Sequence, residues 1–588
     1  MLPQSPIGFR PLTRMQHVAS IALRLPQFTE AAVLKLALLI LLPLWIYSPV
    51  TGADWQWDDD YLITQNAVIQ SPEGLSELWI SPTTADYFPL TMSVLWFLWK
   101  CFGADPSGYH AVSILLHALS GIMLWNLFRL MRLDGAWFAA ILFSAHPLCV
   151  ESVAWISELK NTISLPLFLA SASFWVVYRE KPSIALYLGA LVFFLLAMLA
   201  KSSCVMFPVA ILLHAWWQQN RITLKDVGQS APFFLISLLL GLVTLHFQLS
   251  RAIGNETIPI GDIDARVAIA GTALLFYLSK IAWPHPLLPT YPQWDMSPPS
   301  AVDFLPWAIL FAAFLWFWTT RRSWGRNALM AFGFFGIMLL PVLGFIPMSF
   351  MRVGWTADHF LHIPMIGIFA WIGSGAAKWC ASVREKTLPL LRLCAALIIV
   401  ALAITSHSYA GVWLNEETLW AHTLEYNSDS WQAHNRLGSR KFNRGETTAA
   451  LVHFREAIRL RPDLAETQNN MGSAILAQKD TKGAIRHFSE ALRLSPNIIA
   501  IQLNLARAFL LDEQFTKARA IYSKLVETYP LDPTYLCNLG VTHYKIGDSR
   551  QAIVCFEKAL EINPNLEDAR ANLEHARQTN QTTPNLSP

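Results

Sequence analysis

Long apolar runs follow one another from about Ala31 to Ala410 and then stop. Each is near the roughly 20 residues that an α-helix needs to cross a hydrocarbon core. Beyond Trp413 apolar residues recur at helical spacing among charged ones, the pattern of amphipathic helices. The change of pattern marks the main boundary of the chain. Spans are expected at 31–50, 109–128, 135–150, 162–178, 183–200, 202–217, 231–249, 304–320, 327–347, 359–377 and 389–410, about eleven. Two further apolar stretches, 87–103 and 266–283, carry Lys100 and Lys280 near their ends. Counting either one alone would reverse the side of every later loop, so both are expected as interfacial or re-entrant helices.

The basic residues fix an orientation. Arg10, Arg14 and Arg24, then Arg129 and Arg132, Arg179 and Lys181, Arg221 and Lys225, Arg321, Arg322 and Arg326, and Lys378, Arg384, Lys386 and Arg392 fall on one side of these spans. Short loops rich in Lys and Arg stay in the cytoplasm, which places the segment 1–30 there. No small-residue cleavage site follows the first run, so it reads as an uncleaved span. The loop 51–108 emerges opposite. Its stretch Thr51–Asp86 has no Lys or Arg but carries Asp54, Asp58, Asp59, Asp60, Glu73 and Glu77. An odd number of spans puts the C-terminal region on that same outer side. Short loops and a short N-terminus point to a bacterial inner membrane.

After a linker helix expected at 413–430, the sequence repeats with a period of 34, the length of a tetratricopeptide (TPR) unit. Repeats are expected at 431–464, 465–498, 499–532 and 533–566, with Pro462, Pro496, Pro530 and Pro564 near their ends. Small residues recur at Gly438, Gly472, Ala506 and Gly540 and at Ala450, Ala484, Ala518 and Ala552; the aromatic residues Phe454, Phe488, Tyr522 and Phe556 follow at a fixed offset. A capping helix 567–578 and a disordered tail 579–588 complete the reading. The fold class is therefore all-α: a polytopic transmembrane bundle followed by an α-solenoid.

Hydrophobic residues make up 54% of the chain and charged ones only 14%, which agrees with a membrane protein. A net charge of +3, dispersed among loops, gives no stripe for nucleic acid. Seven scattered cysteines without CxxC spacing indicate neither a zinc site nor a disulfide framework, and Cys537 and Cys555 read as buried thiols. Asn255 and Asn580 fit the glycosylation triplet.

Candidate chemistry gathers on the outer side. A carboxylate of Asp58, Asp59 or Asp60, just beyond a span, is suited to deprotonate an acceptor hydroxyl, and only one is needed. The segment HPLCVESVAWISELKN brings His146, Glu151, Trp155, Glu158, Lys160 and Asn161 to the outer end of the third span, where ionisable groups are costly and mark a site. Lys201 and Arg352 could neutralise a phosphate leaving group, and Asp358 and His359 stand beside them in ADHFLHIP. Each has a plainer reading, as a solvated loop, a helix cap or a salt-bridge partner. Within the repeats, Asn470, Asn504, Asn538 and Asn572 recur at one phase; an amide offers a donor and an acceptor edge that match a peptide bond. Simple frequency of Asn at that phase is the alternative.

WDDDYLITQN, YFPLTMSVLWFLW, GYHAVSILLHALSGIML, HPLCVESVAWISELKN, LAKSSCVMFPVAILLHAWW, ADHFLHIPMIGI and VWLNEETLWAHTLE together resemble the transmembrane and TPR-containing proteins of the C-type glycosyltransferase superfamily, related to protein O-mannosyltransferases. The Asn ladder resembles that of the TPR arm of nucleocytoplasmic O-linked N-acetylglucosamine transferase. The family resemblance implies an acidic pair at Asp58 and Asp59 as catalytic base, with Asp60 as an extra carboxylate. It also implies a polyprenyl-phosphate sugar donor and, in many members, transfer to Ser or Thr of a protein. Donor contacts would come from Asp60, His146, Glu151, Lys160, Lys201, Arg352, Asp358 and His359, and acceptor contacts from the Asn ladder. His359 and Phe360 stand where related proteins often show Arg and Tyr. No metal and no other cofactor is implied. Two other classes fit the same architecture: a non-catalytic membrane scaffold that recruits envelope or secretion proteins, and a glycan polymerase or ligase.

Overall fold

The computed structural model describes residues 29–80, 86–254, 258 and 260–582, and within them all regular structure is helical. Arg10, Arg14, Arg24 and Asn255 lie outside the described residues. The chain forms two compact units, Met1–Asn427 and Ser428–Pro588.

Among the described residues of the first unit seven helices are long and apolar enough to cross a membrane: Ser107–Leu130, Ile156–Glu180, Leu224–Ile253, Ile263–Ala282, Ala301–Thr319, Gly325–Val342 and Leu388–Val412. Their burial sorts them. Ile156–Glu180 is 83% buried, whereas Ala301–Thr319 and Leu388–Val412 are each 6% buried. An apolar helix exposed all round needs lipid about it, so the first is central and the other two are peripheral. The first apolar run becomes Glu30–Ile46, started by Thr29, whose side chain accepts from the Ala32 amide.

Two expected spans are broken, and both breaks serve the site. The run 135–150 becomes Ala136–Ala145 and then bends by 59° into Pro147–Ala154. Pro147 has no amide to continue the helix, and His146 in extended conformation caps the new turn by accepting from the Leu148 amide. The run 202–217 shrinks to Phe207–Gln219, preceded by an extended Lys201 and the short turn Ser202–Cys204. Charged residues at these breaks stand at helix ends, where backbone and side chains of neighbouring segments reach them.

Pro89–Phe102 and Ile263–Ala282 fill the stretches expected as interfacial. Thr91 Oγ1 donates to Ala200 O, Trp96 Nε1 to Ser71 O and Lys100 Nζ to Gln70 O, so the first is tied along its length to the acidic-loop end of the bundle. Ile263–Ala282 is a continuous helix long enough to cross, because Lys280 does not interrupt it: its Nζ donates to Pro286 O and lies over the rings of Phe276 and Tyr291. Yet Ile269 packs with Met351 and Trp355, and Ile281 O is met by His146 Nε2. Both halves of the helix thus touch segments at one end of the bundle.

The second unit is four helix pairs and a last helix: Trp431–Asn443 with Thr447–Leu460, Ala465–Ala477 with Thr481–Leu494, Ile499–Leu511 with Phe515–Thr528, Pro533–Ile546 with Ser549–Ile562, then Glu567–Thr582. Ala450, Ala484, Ala518 and Ala552 are fully buried between paired helices. A Cβ at Gly438, Gly472 or Gly540 would come within 2.6–2.7 Å of the ring of Phe454, Phe488 or Phe556, which explains the repeat of small residue and aromatic. Cys537 and Cys555 are buried free thiols. The last helix runs to Thr582, past the point where disorder was expected, and 583–588 lie outside the described residues.

Candidate active site

The acidic loop is held from two sides. The Asp54 amide donates to Leu414 O at 3.0 Å, Gln56 Nε2 donates to Trp413 O, and the Trp57 amide donates to Glu416 Oε1 at 3.1 Å. Trp57 stacks on Trp155 at 4.6 Å and meets Trp420 edge-on at 5.0 Å, while Trp155 also stacks with Trp413. Trp57 takes a positive φ of 52°, a conformation a bulky residue keeps only when its surroundings impose it. Three segments far apart in sequence, WQWDDD, HPLCVESVAW and VWLNEETLW, meet in this tryptophan cluster.

The three aspartates then diverge. Asp58 and Asp60 are exposed, while Asp59 is 1% exposed. Asp59 accepts from the Gln56 amide at 3.0 Å, the Ser157 amide at 2.7 Å and Ser157 Oγ at 2.5 Å. Burial pushes its carboxyl up to about 7 in spite of these donors. Asp59, expected as one of the two catalytic bases, is buried: Oδ1 holds Ser157 and Oδ2 holds the Gln56 amide of its own loop. Asp60 accepts from Thr64 Oγ1 at 2.8 Å.

Beneath Asp58 lies a buried charge cluster. Glu158 receives Lys160 Nζ at 2.9 Å, Lys201 Nζ at 2.7 Å and Asn161 Nδ2 at 2.7 Å. Lys160 also lies within electrostatic reach of Asp58 and Asp86. Two ammonium groups share the one Glu158 carboxylate. Burial brings the Lys201 ammonium down to about 8, so it is still cationic at pH 7. Lone buried charges of this kind are costly unless partnered, and the extended backbone at Lys201 is what turns its side chain onto Glu158.

A second acidic group adjoins. Glu151, fully buried, accepts from the His359 amide at 2.9 Å and faces His359 Nδ1 at 3.0 Å. Asn161 Nδ2 reaches His359 O at 3.4 Å, linking the two groups. Tyr291 Oη donates to Asp358 Oδ1 at 2.8 Å, and Asp358 Oδ2, also buried, has no hydrogen-bond partner. So Lys160, Lys201, Glu151, Asp358 and His359 of the expected set gather, with Asp58 above them. His146 does not join: one ring nitrogen caps Leu148 and the other faces Ile281 O, so it anchors the 263–282 helix. Arg352 is half-buried, with Nε on Ser349 O. Ser157, Tyr291 and Glu416 had no place among the expected residues. A serine inside the ISELKN segment was a visible signal, but Tyr291 and Glu416 are joined to the site only by the fold. An apolar cavity lined by Phe128, Phe168, Trp175, Phe207, Phe334 and Trp371 shares no residue with these groups.

In the repeats, Asn470 Nδ2 donates to Asn435 Oδ1 at 3.1 Å and to Ser439 Oγ at 3.3 Å, and Asn504 Nδ2 donates to Asn469 Oδ1 at 2.9 Å. Asn572 Nδ2 faces Cys537 Sγ at 3.9 Å, and Asn538 is half-buried. Asn470, Asn504 and Asn572 thus each reach back to the helix pair before their own. Both N–H groups of Asn470 are spent in this way, so the expected match of donor and acceptor edges to a bound peptide does not hold there.

Residues 86–246 match the family described as dolichyl-phosphate-mannose-protein mannosyltransferase, and 435–499, 475–536 and 533–566 match tetratricopeptide repeat families. The chain therefore carries a mannosyltransferase-like domain and several TPR repeats, and it matches a transmembrane and TPR-containing glycosyltransferase-like family. The first matched stretch includes Glu151, Glu158, Lys160 and Lys201 and begins after the aspartate loop. Protein O-mannosyl-transferase TMTC4 of Homo sapiens is 23% identical over 486 residues, covering 68% of this chain and 63% of that protein. Protein O-mannosyl-transferase F38B6.6 of Caenorhabditis elegans is 23% identical over 460 residues, covering 73% and 63%. The chain spans about 63% of the length of these curated relatives.

Proposed function

We propose that this chain, a membrane protein with a mannosyltransferase-like domain and TPR repeats, moves a sugar, mannose-like by analogy with its relatives, from a polyprenyl-phosphate donor to a protein Ser/Thr or glycan hydroxyl. The reaction takes place on the extracytoplasmic face of a bacterial inner membrane crossed about eleven times. The observation that carries this reading is one exposed carboxylate, Asp58, above a buried group in which Lys160 and Lys201 outnumber Glu158. Asp58 accepts the proton of the acceptor hydroxyl as its oxygen bonds to the sugar carbon. The bond from that carbon to the donor phosphate breaks, and the charge left on the phosphate is met by Lys160 and Lys201, which are held ready and need no rearrangement. Asp59 positions the loop through Ser157. The contacts of both halves of Ile263–Ala282, through Ile269 and Ile281, with segments at one end of the bundle support its interfacial placement and hence the span count.

Asp58→Asn keeps shape and removes the base. Transfer from polyprenyl-phosphate mannose to an acceptor peptide should fall by roughly 10²–10⁴-fold, the worth of a positioned general base, with donor binding and membrane insertion kept. Transfer at the unsubstituted rate would end this assignment. Mass spectrometry of envelope glycoproteins and lipid-linked sugars, with and without the gene, names donor and acceptor.

A further inference from the structure

The mechanism leaves unused a second buried cluster, formed by His117 in the middle of Ser107–Leu130, Cys149 at the bend after Pro147, and His362 just beyond the 358–361 turn. One ligand atom from each lies within 4.8 Å of the other two, and all three residues are buried, at 0%, 0% and 1% exposure. Buried imidazole nitrogens normally have partners. Here both nitrogens of His362 and Nδ1 of His117 have none. His117 Nε2 faces Ser144 O at 3.3 Å. With the proton on Nε2 donated to that carbonyl, Nδ1 keeps an unshared lone pair, the arrangement by which outer groups orient metal-binding histidines. Phe143 packs against both imidazoles, with ring centroids 5.4 and 5.5 Å away, and shields the cluster.

We propose that His117, Cys149 and His362 bind one copper(I) ion as a trigonal His₂Cys site. The chemistry of the set selects the ion. A thiolate with two neutral imidazoles suits a soft d¹⁰ cation, and the Cys149 thiol proton leaves as the metal binds. Copper(I) and one thiolate then sum to zero charge, whereas a divalent ion would leave an uncompensated positive charge in the core, which is costly. With bonds of roughly 2.0 Å to nitrogen and 2.3 Å to sulfur, trigonal ligands stand about 3.5–3.8 Å apart, so the cluster closes by about 1 Å on binding. The ion joins three segments: the 107–130 helix, the Pro147 bend that leads to Glu151, and the turn that carries Asp358 and His359. His362 is also within electrostatic reach of Lys201, Glu158 and His359. The site is a staple beside the charge cluster, and its existence does not depend on the proposed sugar transfer.

The test uses the full-length chain, purified in detergent, reduced and kept anaerobic. It is titrated with copper(I) in competition with bathocuproine disulfonate, and X-ray absorption is recorded on the loaded protein. The expected result is one copper(I) per chain with one sulfur and two nitrogen ligands, and a melting temperature raised by the metal. Cys149→Ser and His362→Phe should each weaken binding by more than the roughly 100-fold that loss of an outer-shell partner costs, while Cys204→Ser, another buried cysteine, leaves it unchanged. Failure of the unsubstituted protein to bind one equivalent overturns the proposal, as does a sulfur-free coordination shell, equal binding by Cys149→Ser, or zinc(II) displacing copper(I). The measurements on the unsubstituted chain decide the matter even where a variant does not fold.

Discussion

Asp58 and Asp59 share a side-chain chemistry and part company in environment, and the difference sets what each can do. Asp58 faces solvent, while Asp59 is sealed under the tryptophan cluster with its carboxyl raised to about 7 by burial. The sign of the linkage follows. A carboxyl raised above its unfolded value near 3.9 lends stability that is complete below that value, fades as pH rises, and is lost above about 7. Opening of the clasp between Gln56 and Ser157 should therefore be easier at pH 8.5 than at pH 5.5. Hydrogen-exchange protection of those two amides, corrected for intrinsic rate, should drop over this range, and Asp59→Asn should flatten the dependence. Protection that rose with pH would mean that the three donors outweigh burial. Sequence alone could mark the DDD triplet and the lysines but could not divide the triplet. The division comes with Ser157, which reaches Asp59 beside the stacked pair of Trp155 and Trp57.

Helices in this chain do their work where they stop. Pro147 and the extended Lys201 interrupt apolar runs, and the charged groups brought together by the fold sit at those interruptions. The apolar pattern gave the runs, with a boundary at Lys201, and Pro147 marked a helix end; the shortening of 202–217 to Phe207–Gln219 had no such signal. The repeats were legible to the residue, because each small position and its aromatic recur at a fixed spacing. The Asn ladder was legible in position, but at Asn470 both N–H groups go to the preceding repeat, a contact that periodicity within one strand of sequence does not display. The close fit of glycine to aromatic gives a direct prediction. In Gly472→Ala the added methyl would stand 2.7 Å from the Phe488 ring, and overpacking of this kind costs about 1–3 kcal/mol. Thermal unfolding of the Ser428–Pro588 unit should shift down accordingly, and Gly472→Ala combined with Phe488→Leu should recover part of the loss. An unshifted transition would show that the helix pair has slack.

For the whole molecule, the question is which compartment holds the acidic loop and the repeats. Composition and hydropathy made a membrane protein evident, but the count of crossings depends on Pro89–Phe102 and Ile263–Ala282, two helices whose apolar character does not say whether they cross or lie flat. With both lying flat, as in the proposed arrangement, the crossings are odd in number. Counting both as crossings keeps the parity, whereas counting one breaks it. Orientation is thus sensitive to a single helix. A periplasm-dependent phosphatase fused after Pro588 should be active, and a protease tag inserted between Arg321 and Arg322 should be cut only after the inner membrane is opened. A phosphatase that is inactive at the C-terminus, with the 321–322 tag exposed, would assign a crossing to one of these two helices. It would separate the repeats from Asp58, and any role for them in presenting an acceptor to that carboxylate would fall. A protected 321–322 tag with an inactive phosphatase would place the error later in the chain, among the crossings after Arg322.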